Sequence, residues 1–260
     1  MQQRHLDRYA YFNDLAATSR DFYIGYLGKF IRLYPGMKVL ELGCGEGGNL
    51  LPFAEAGCEV TGIDIVKTRI EQAVEFFARK KAKGTFICSD IADVSEDIGK
   101  FELIVIHDVI EHIPGGGEKL AVITKAKSLL NDGGIIFWGF PAWQMPFGGH
   151  QQICRNRILS HLPYIHLLPA PLYKLLLRMG KEDDSCVREL LSIKSCGVSI
   201  EQFERMMRQT GSEVIDKIYW FINPHYKRKF GLTPKKLYGW VGKLKYLRNY
   251  FCTSCFYLSR

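Results

Sequence analysis

The sequence predicts an α/β fold built on a doubly wound, mostly parallel sheet. Three observations carry that expectation. Apolar runs of strand length alternate with helical spacings between residues 38 and 140. The first run, Val39, Leu40 and Leu42, stops abruptly in a turn holding Gly43, Gly45, Gly47 and Gly48. Glu41, Asp64, Asp90 and His107 fall at the ends of separate runs. In such a sheet those ends meet at one crevice, where ligands bind.

The elements follow in order. Residues 6–33 carry Tyr9, Phe12, Leu15, Phe22, Tyr23, Tyr26, Leu27 and Phe30 with loose helical spacing, which predicts one or two helices stopped by Pro35-Gly36. A strand over 38–42 leads into a short helix ending near Gly57, then a strand over 59–63. The helix over 67–81 sets Ile70, Ala73, Val74, Phe77 and Ala78 on one face. Strands over 85–88 and 102–106, a helix over 118–130 and a strand over 135–140 complete the alternation.

Residues 141–198 break it. They are rich in Pro, His and Leu, and Pro171–Met179 suits a short helix followed by Gly180. Ser199 with Gln202 forms a capping box for a helix that Gly211 closes. Residues 213–221 and 250–258 read as strands, separated by a helix from Thr233-Pro234 to about Asn249. Leu237, Trp240 and Leu244 would dock that helix on the sheet.

Composition narrows the function classes. The chain has 260 residues, 47% of them hydrophobic, enough for one large domain. No apolar run approaches the roughly 18 residues that span a bilayer. Met1 to Arg8 has no apolar signal segment, so a cytoplasmic location is expected. The eight cysteines read as reduced, buried thiols. Cys252-Thr-Ser-Cys255 is a lone C-x-x-C which, as a strand, would turn its thiols to opposite faces. Residues 1–150 carry 16 Lys/Arg against 19 Asp/Glu, while residues 151–260 carry 19 against 8. From Lys217 to Arg260 there are ten basic residues and no acid, so an anionic partner would be met there.

Gly43, Gly45 and Gly48 satisfy G-x-G-x-x-G, which equally fits a nicotinamide cofactor. Glu41 discriminates, because a carboxylate inside the strand serves a pyrophosphate poorly and an amine or sulfonium well. The stretch Glu41-Leu-Gly43-Cys44-Gly45-Glu-Gly47 resembles the first motif of class I S-adenosylmethionine-dependent methyltransferases. Gly62-Ile-Asp64-Ile65, Cys88-Ser-Asp90-Ile91, Phe101 to His112, and Leu130 to Gly134 resemble the later landmarks in order. The resemblance covers about residues 36–140 and points to the small-molecule branch. It implies a seven-stranded Rossmann-like sheet with residues 1–35 as an N-terminal helical cap and 36–140 as the cofactor-binding core. Residues 141–198 would then be a substrate-side insertion or lid. Residues 199–260 would complete the core with an antiparallel strand pair and a basic helical excursion.

The resemblance also implies S-adenosylmethionine as cofactor. Glu41, Gly43, Cys44, Gly45 and His107 would stand around it, with Asp64 on the ribose hydroxyls and Asp90 facing the adenine amino group. Ile65 and Ile91 would sandwich the adenine ring. Beyond the fourth strand, a helical turn over 108–112 would gather Asp108, Glu111 and His112. His112 is the candidate general base for a hydroxyl acceptor, with Glu111 beside it and His150 facing the same pocket. Asp108, Glu111, His112 and His150 also resemble the divalent-metal site of some methyltransferases, with Asp108 departing from the commoner glutamate. Glu111 and His112 could instead only cap the turn.

The expected activity is methyl transfer to a hydroxyl of a small molecule, a glycan or a lipid-linked, anionic intermediate. RNA methylation and a non-catalytic cofactor-binding protein are the alternatives. The basic-aromatic segment from Tyr226 to Arg248 allows nucleic-acid contact, peripheral membrane contact, or a solvated helix docked on the sheet.

Overall fold

The computed structural model describes residues 7–260, so most of the Met1 to Arg8 stretch lies outside the described residues. Eight strands form one sheet: β1 (Lys38–Leu42), β2 (Glu59–Asp64), β3 (Thr85–Cys88), β4 (Phe101–His107), β5 (Leu130–Phe140), β6 (Val214–Ile222), β7 (Lys235–Lys236) and β8 (Ser254–Ser259). Their order is β3-β2-β1-β4-β5-β8-β6-β7. Pairs from β3 to β5 are parallel, and β8 enters antiparallel between β5 and β6. The strand order reverses beside β1, so the carboxyl ends of β1 and β4 open the crevice of a doubly wound sheet.

The helices are α1 (Arg8–Thr18), α2 (Ile24–Leu27), α3 (Leu51–Glu55), α4 (Lys67–Arg79), α5 (Gly116–Ser128), α6 (Arg157–His161), α7 (Ala170–Met179), α8 (Asp184–Cys196), α9 (Ile200–Gln209), α10 (Tyr226–Phe230) and α11 (Gly239–Lys243). A wider π-type turn over Ser19–Tyr23 joins α1 to α2. Side chains on adjacent strand positions feed opposite layers. Leu40, Leu42, Ile104 and Ile106 join the α5 and α9 side, whereas Val39, Leu103 and Val105 join the side of α1, α2 and α4. A third, smaller cluster lies within residues 154–190 and includes Tyr173, Leu177 and Leu190. No helix among the described residues is long and apolar enough to cross a membrane.

Several expectations need correction. The sheet has eight strands where seven were expected, the extra one being the two-residue edge strand β7. On α4 the buried residues are Ile70, Ala73, Phe76 and Phe77, while Val74 and Ala78 are exposed. The long helix expected over 233–249 does not form. The segment contains β7, the five-residue α11 and a short turn over Leu247–Tyr250. Lys235 and Lys236 pair with β6, Leu244 is extended, and Tyr246 adopts a positive φ of 65° that no continuing helix permits. Trp240 is 69% exposed instead of docked on the sheet. Cys252 precedes β8, so the C-x-x-C is a turn entering a strand, and its two sulfurs lie 3.4 Å apart instead of on opposite faces. The capping box of α9 forms as read.

Candidate active site

The glycine turn is held by backbone and by one carboxylate. Gly43 and Cys44 donate their N–H groups to the Ile63 carbonyl, at 2.7 and 2.9 Å. Gly43 has φ +76°, and a Cβ there would fall 2.3 Å from a Val109 methyl, so only glycine fits. Gly45 has φ +52° with open space where a Cβ would stand. Asp64, at the end of β2, accepts from Gly45 N and from Val66 N, each at 2.9 Å. It therefore shapes the turn from the position where ribose contact was expected.

Glu41 is 1% exposed. Asn49 donates to its Oε1 at 2.7 Å, and Oε2 has no partner. Burial pushes this carboxyl up to about 8, against the pull of the Asn49 hydrogen bond. A buried carboxylate with an orphaned oxygen is an acceptor that an ammonium would satisfy. Cys44 is buried beside it, with its thiol turned to the Gly45 carbonyl at 3.5 Å. At the far side, Asp90 caps a short turn by accepting from Ala92 N at 2.9 Å. Ile65 is 65% exposed, whereas Ile91 is buried at 8%. Their exposures differ, so Ile65 offers the free apolar surface and Ile91 the walled one.

At the end of β4, His107 is buried, and its Nδ1 stands 3.3 Å from Asp108 Oδ2. That carboxylate favours the proton on Nδ1, so Nε2 accepts from the Tyr23 hydroxyl at 2.9 Å. The Tyr23 and His107 rings also stack, with centroids 5.0 Å apart. His107 is thereby engaged by the α1–α2 connection. Asp108 has φ +55° and stands before the short helical turn Ile110–His112, not within it. The expected i, i+3, i+4 arrangement is accordingly corrected. Desolvation at the crevice tends to raise the Asp108 carboxyl, but attraction to His107, with His225 and His112 behind it, holds it at about 2.

His112 and His150 meet edge to face with ring centroids 5.2 Å apart. Desolvation in the crevice lowers both, His150 to about 4, although the His112 side chain is still 44% exposed, and at pH 7 both rings offer a nitrogen lone pair. Glu111 is buried with Oε2 unpartnered, and desolvation followed by the Asp108 charge raises its carboxyl well above the usual range. Its Oε1 lies 4.0 Å from His112 Nε2.

Three contributors escaped the sequence reading. Asn49 positions Glu41. Tyr23 orients His107. His225, after β6, bonds Thr18 on α1 at 3.1 Å and sets its ring 6.0 Å from that of Tyr11. Asn49 lies eight residues after Glu41, within one turn-and-helix of it, which is the signal available for that pair. Tyr23 and His225 reach the site only by long-range packing.

The ligand atoms of Asp108, Glu111, His112 and His150 do not gather within 4.8 Å of one another, whereas those of Cys154, Glu182 and Cys186 do. That buried trio has structural work to do. Glu182 accepts from Arg155 N at 3.0 Å and Asn156 N at 2.8 Å. Burial pushes the thiols of Cys154 and Cys186 up to about 12 and 11.

With this geometry in view, comparison with known proteins is informative. The family described as "Methyltransferase domain" matches residues 39–134. A ubiquinone biosynthesis O-methyltransferase of Vibrio parahaemolyticus is 34% identical over 104 residues, 40% of this chain and 43% of that protein. An uncharacterized protein of Rickettsia prowazekii is 33% identical over 149 residues, 54% and 57% of the two chains. The chain thus spans about half the length of these curated relatives. An S-adenosylmethionine-dependent methyltransferase from Clostridium acetobutylicum superposes with a TM-score of 0.62 at 13% identity, covering 94% of this chain and 91% of that one. Magnesium protoporphyrin IX methyltransferase from Synechocystis, solved with bound SAH, gives 0.55 at 17% identity over 95% and 82%. At these identities the structural likeness is one of fold. Sequence match, glycine turn and strand order agree: residues 39–134 are similar to a methyltransferase domain, on a Rossmann-like fold shared with S-adenosylmethionine-dependent methyltransferases.

Proposed function

We propose that this chain transfers a methyl group from S-adenosylmethionine to a hydroxyl of a small or lipid-linked acceptor. The observation that carries the donor half is the buried Glu41 carboxylate with its unpartnered oxygen beside the open Gly45 turn. That site fits an amino-acid ammonium. Asp64 would take the ribose hydroxyls, Asp90 the adenine amino group, and Ile65 with Ile91 the faces of the ring. The donor, when bound, supplies a methyl group on a sulfonium, an electrophile that needs an aligned nucleophile and no activation of its own.

The chain's task is then to align and deprotonate the acceptor. His112 is the base in this reading. It is neutral at pH 7, stands just beyond β4, and has His150 as a neighbour able to share or relay the proton. Residues 141–198 would exclude water and fix the approach. Relatives named for O-methylation in ubiquinone biosynthesis support a hydroxyl acceptor.

The test is transfer of labelled methyl from S-adenosylmethionine to a panel of phenolic and prenylated hydroxyl compounds. An extractable, alkali-stable ether is expected. His112→Ala should lower turnover by roughly 10²–10⁴-fold with S-adenosylhomocysteine affinity little changed. Label released by alkali would overturn the hydroxyl reading, and label found only in RNA would overturn the small or lipid-linked acceptor. Turnover indifferent to both His112 replacement and chelator would leave orientation alone as the means of catalysis.

A further inference from the structure

The segment between β6 and β8 forms a surface that methyl transfer does not require. Phe221, Tyr238, Trp240, Leu244, Leu247 and Phe251 line an open groove of about 280 Å³ with entirely apolar walls. Each of the six is between 41% and 69% exposed. Exposed patches of this kind mark interaction sites.

The surface is held in place from below. Arg248, 5% exposed, donates from Nε to Glu201 and from Nη2 to Glu204, both at 2.9 Å, and from Nη1 to the Tyr219 hydroxyl at 3.0 Å. Asn249 donates to Glu201 Oε2 at 2.6 Å and accepts from Ile200 N at 2.8 Å. This buried network ties the excursion to α9, so the aromatic residues stay displayed and do not fold back on the core.

Charge identifies the occupant. Lys217, Lys227, Arg228 and Arg248 are paired with acids on neighbouring elements. Lys235, Lys236, Lys243 and Lys245 are exposed and lie outside every ion pair among the described residues. No acid occurs between Lys217 and Arg260 to compete for them. We propose that this face docks on an anionic lipid bilayer, with Trp240 and Tyr238 at the headgroup level and the four lysines on lipid phosphates.

Tryptophan, tyrosine and lysine interleaved around an apolar strip suit a membrane interface, whereas lysine is depleted from protein–protein contacts. A second copy of this chain, docked by two-fold symmetry, would bring the same lysines together. The inference stands independently of which acceptor is methylated.

Co-sedimentation of the full chain with vesicles tests it without donor or acceptor present. Vesicles containing phosphatidylglycerol should bind the chain, and pure phosphatidylcholine vesicles should bind it far more weakly. Replacing the four lysines by Gln should weaken binding by about a hundredfold or more. Trp240→Ser with Leu244→Ser should weaken it comparably while the melting temperature is kept. Trp240 fluorescence should shift to the blue on binding. Equal binding to both vesicle types, or binding that survives these replacements, would overturn the proposal. So would a salt-sensitive complex with RNA, or a dimer broken by the same replacements, where vesicles bind nothing.

Discussion

Glu41 sets up the clearest residue-scale consequence. Burial raises its carboxyl from 4.5 to about 8, so the folded chain keeps a proton that the unfolded chain loses above pH 4.5. Its contribution to stability is therefore full below pH 4.5 and fades as the pH rises to about 8. Glu41→Gln should lack this loss, and by pH 8 should be more stable than the parent by a few kcal/mol, at most about 5. Urea melts at pH 5 and pH 8 check the sign. If an ammonium binds there, binding at pH 7 should release a proton in the parent and none in the variant, seen as a buffer-dependent calorimetric enthalpy. At this scale much was legible. A carboxylate inside a strand before a glycine turn has few structural reasons to exist, so Glu41 announced itself. Tyr23 and His225 did not, because an aromatic on a helix and a histidine in a loop look the same whether or not they meet a distant strand end.

At the scale of elements, strong periodicity was readable and weak helices were not. The expected α4 and α9 appear within two residues of their bounds, since their apolar faces and the Ser199 cap leave little choice. The helix expected over 233–249 failed because Lys235 and Lys236 pair with β6 and the chain leaves helical geometry at Leu244 and Tyr246, which apolar spacing alone does not show. Within residues 141–198, α8 went unread, as its buried Cys186, Val187 and Leu190 pack on a small local cluster. That segment reaches the candidate site through His150 and is braced internally by His166, which bonds the Trp143 carbonyl at 2.8 Å. As a lid, its backbone amides should exchange more slowly when S-adenosylhomocysteine and acceptor are both bound. Hydrogen exchange unchanged across 143–180 with both ligands present would count against closure.

For the whole molecule, topology converts scattered letters into one site. The carboxyl ends of β1, β2 and β4 bring Glu41, Asp64 and His107 to one crevice, and the segment after β5 brings His150 to His112. The strand order could be anticipated because parallel strands with helical crossovers admit few arrangements. The antiparallel end, with β8 between β5 and β6 and the excursion outside it, rests on long-range pairing that no local pattern encodes. The central claim is that this crevice holds S-adenosylmethionine, and calorimetric titration of S-adenosylhomocysteine into the full chain tests it most directly. Saturable binding of one equivalent is expected, weakened by at least about tenfold in Asp64→Ala through loss of charge-assisted hydrogen bonds to the ribose. Absence of binding, or equal affinity in a variant whose melting temperature matches the parent, would contradict it.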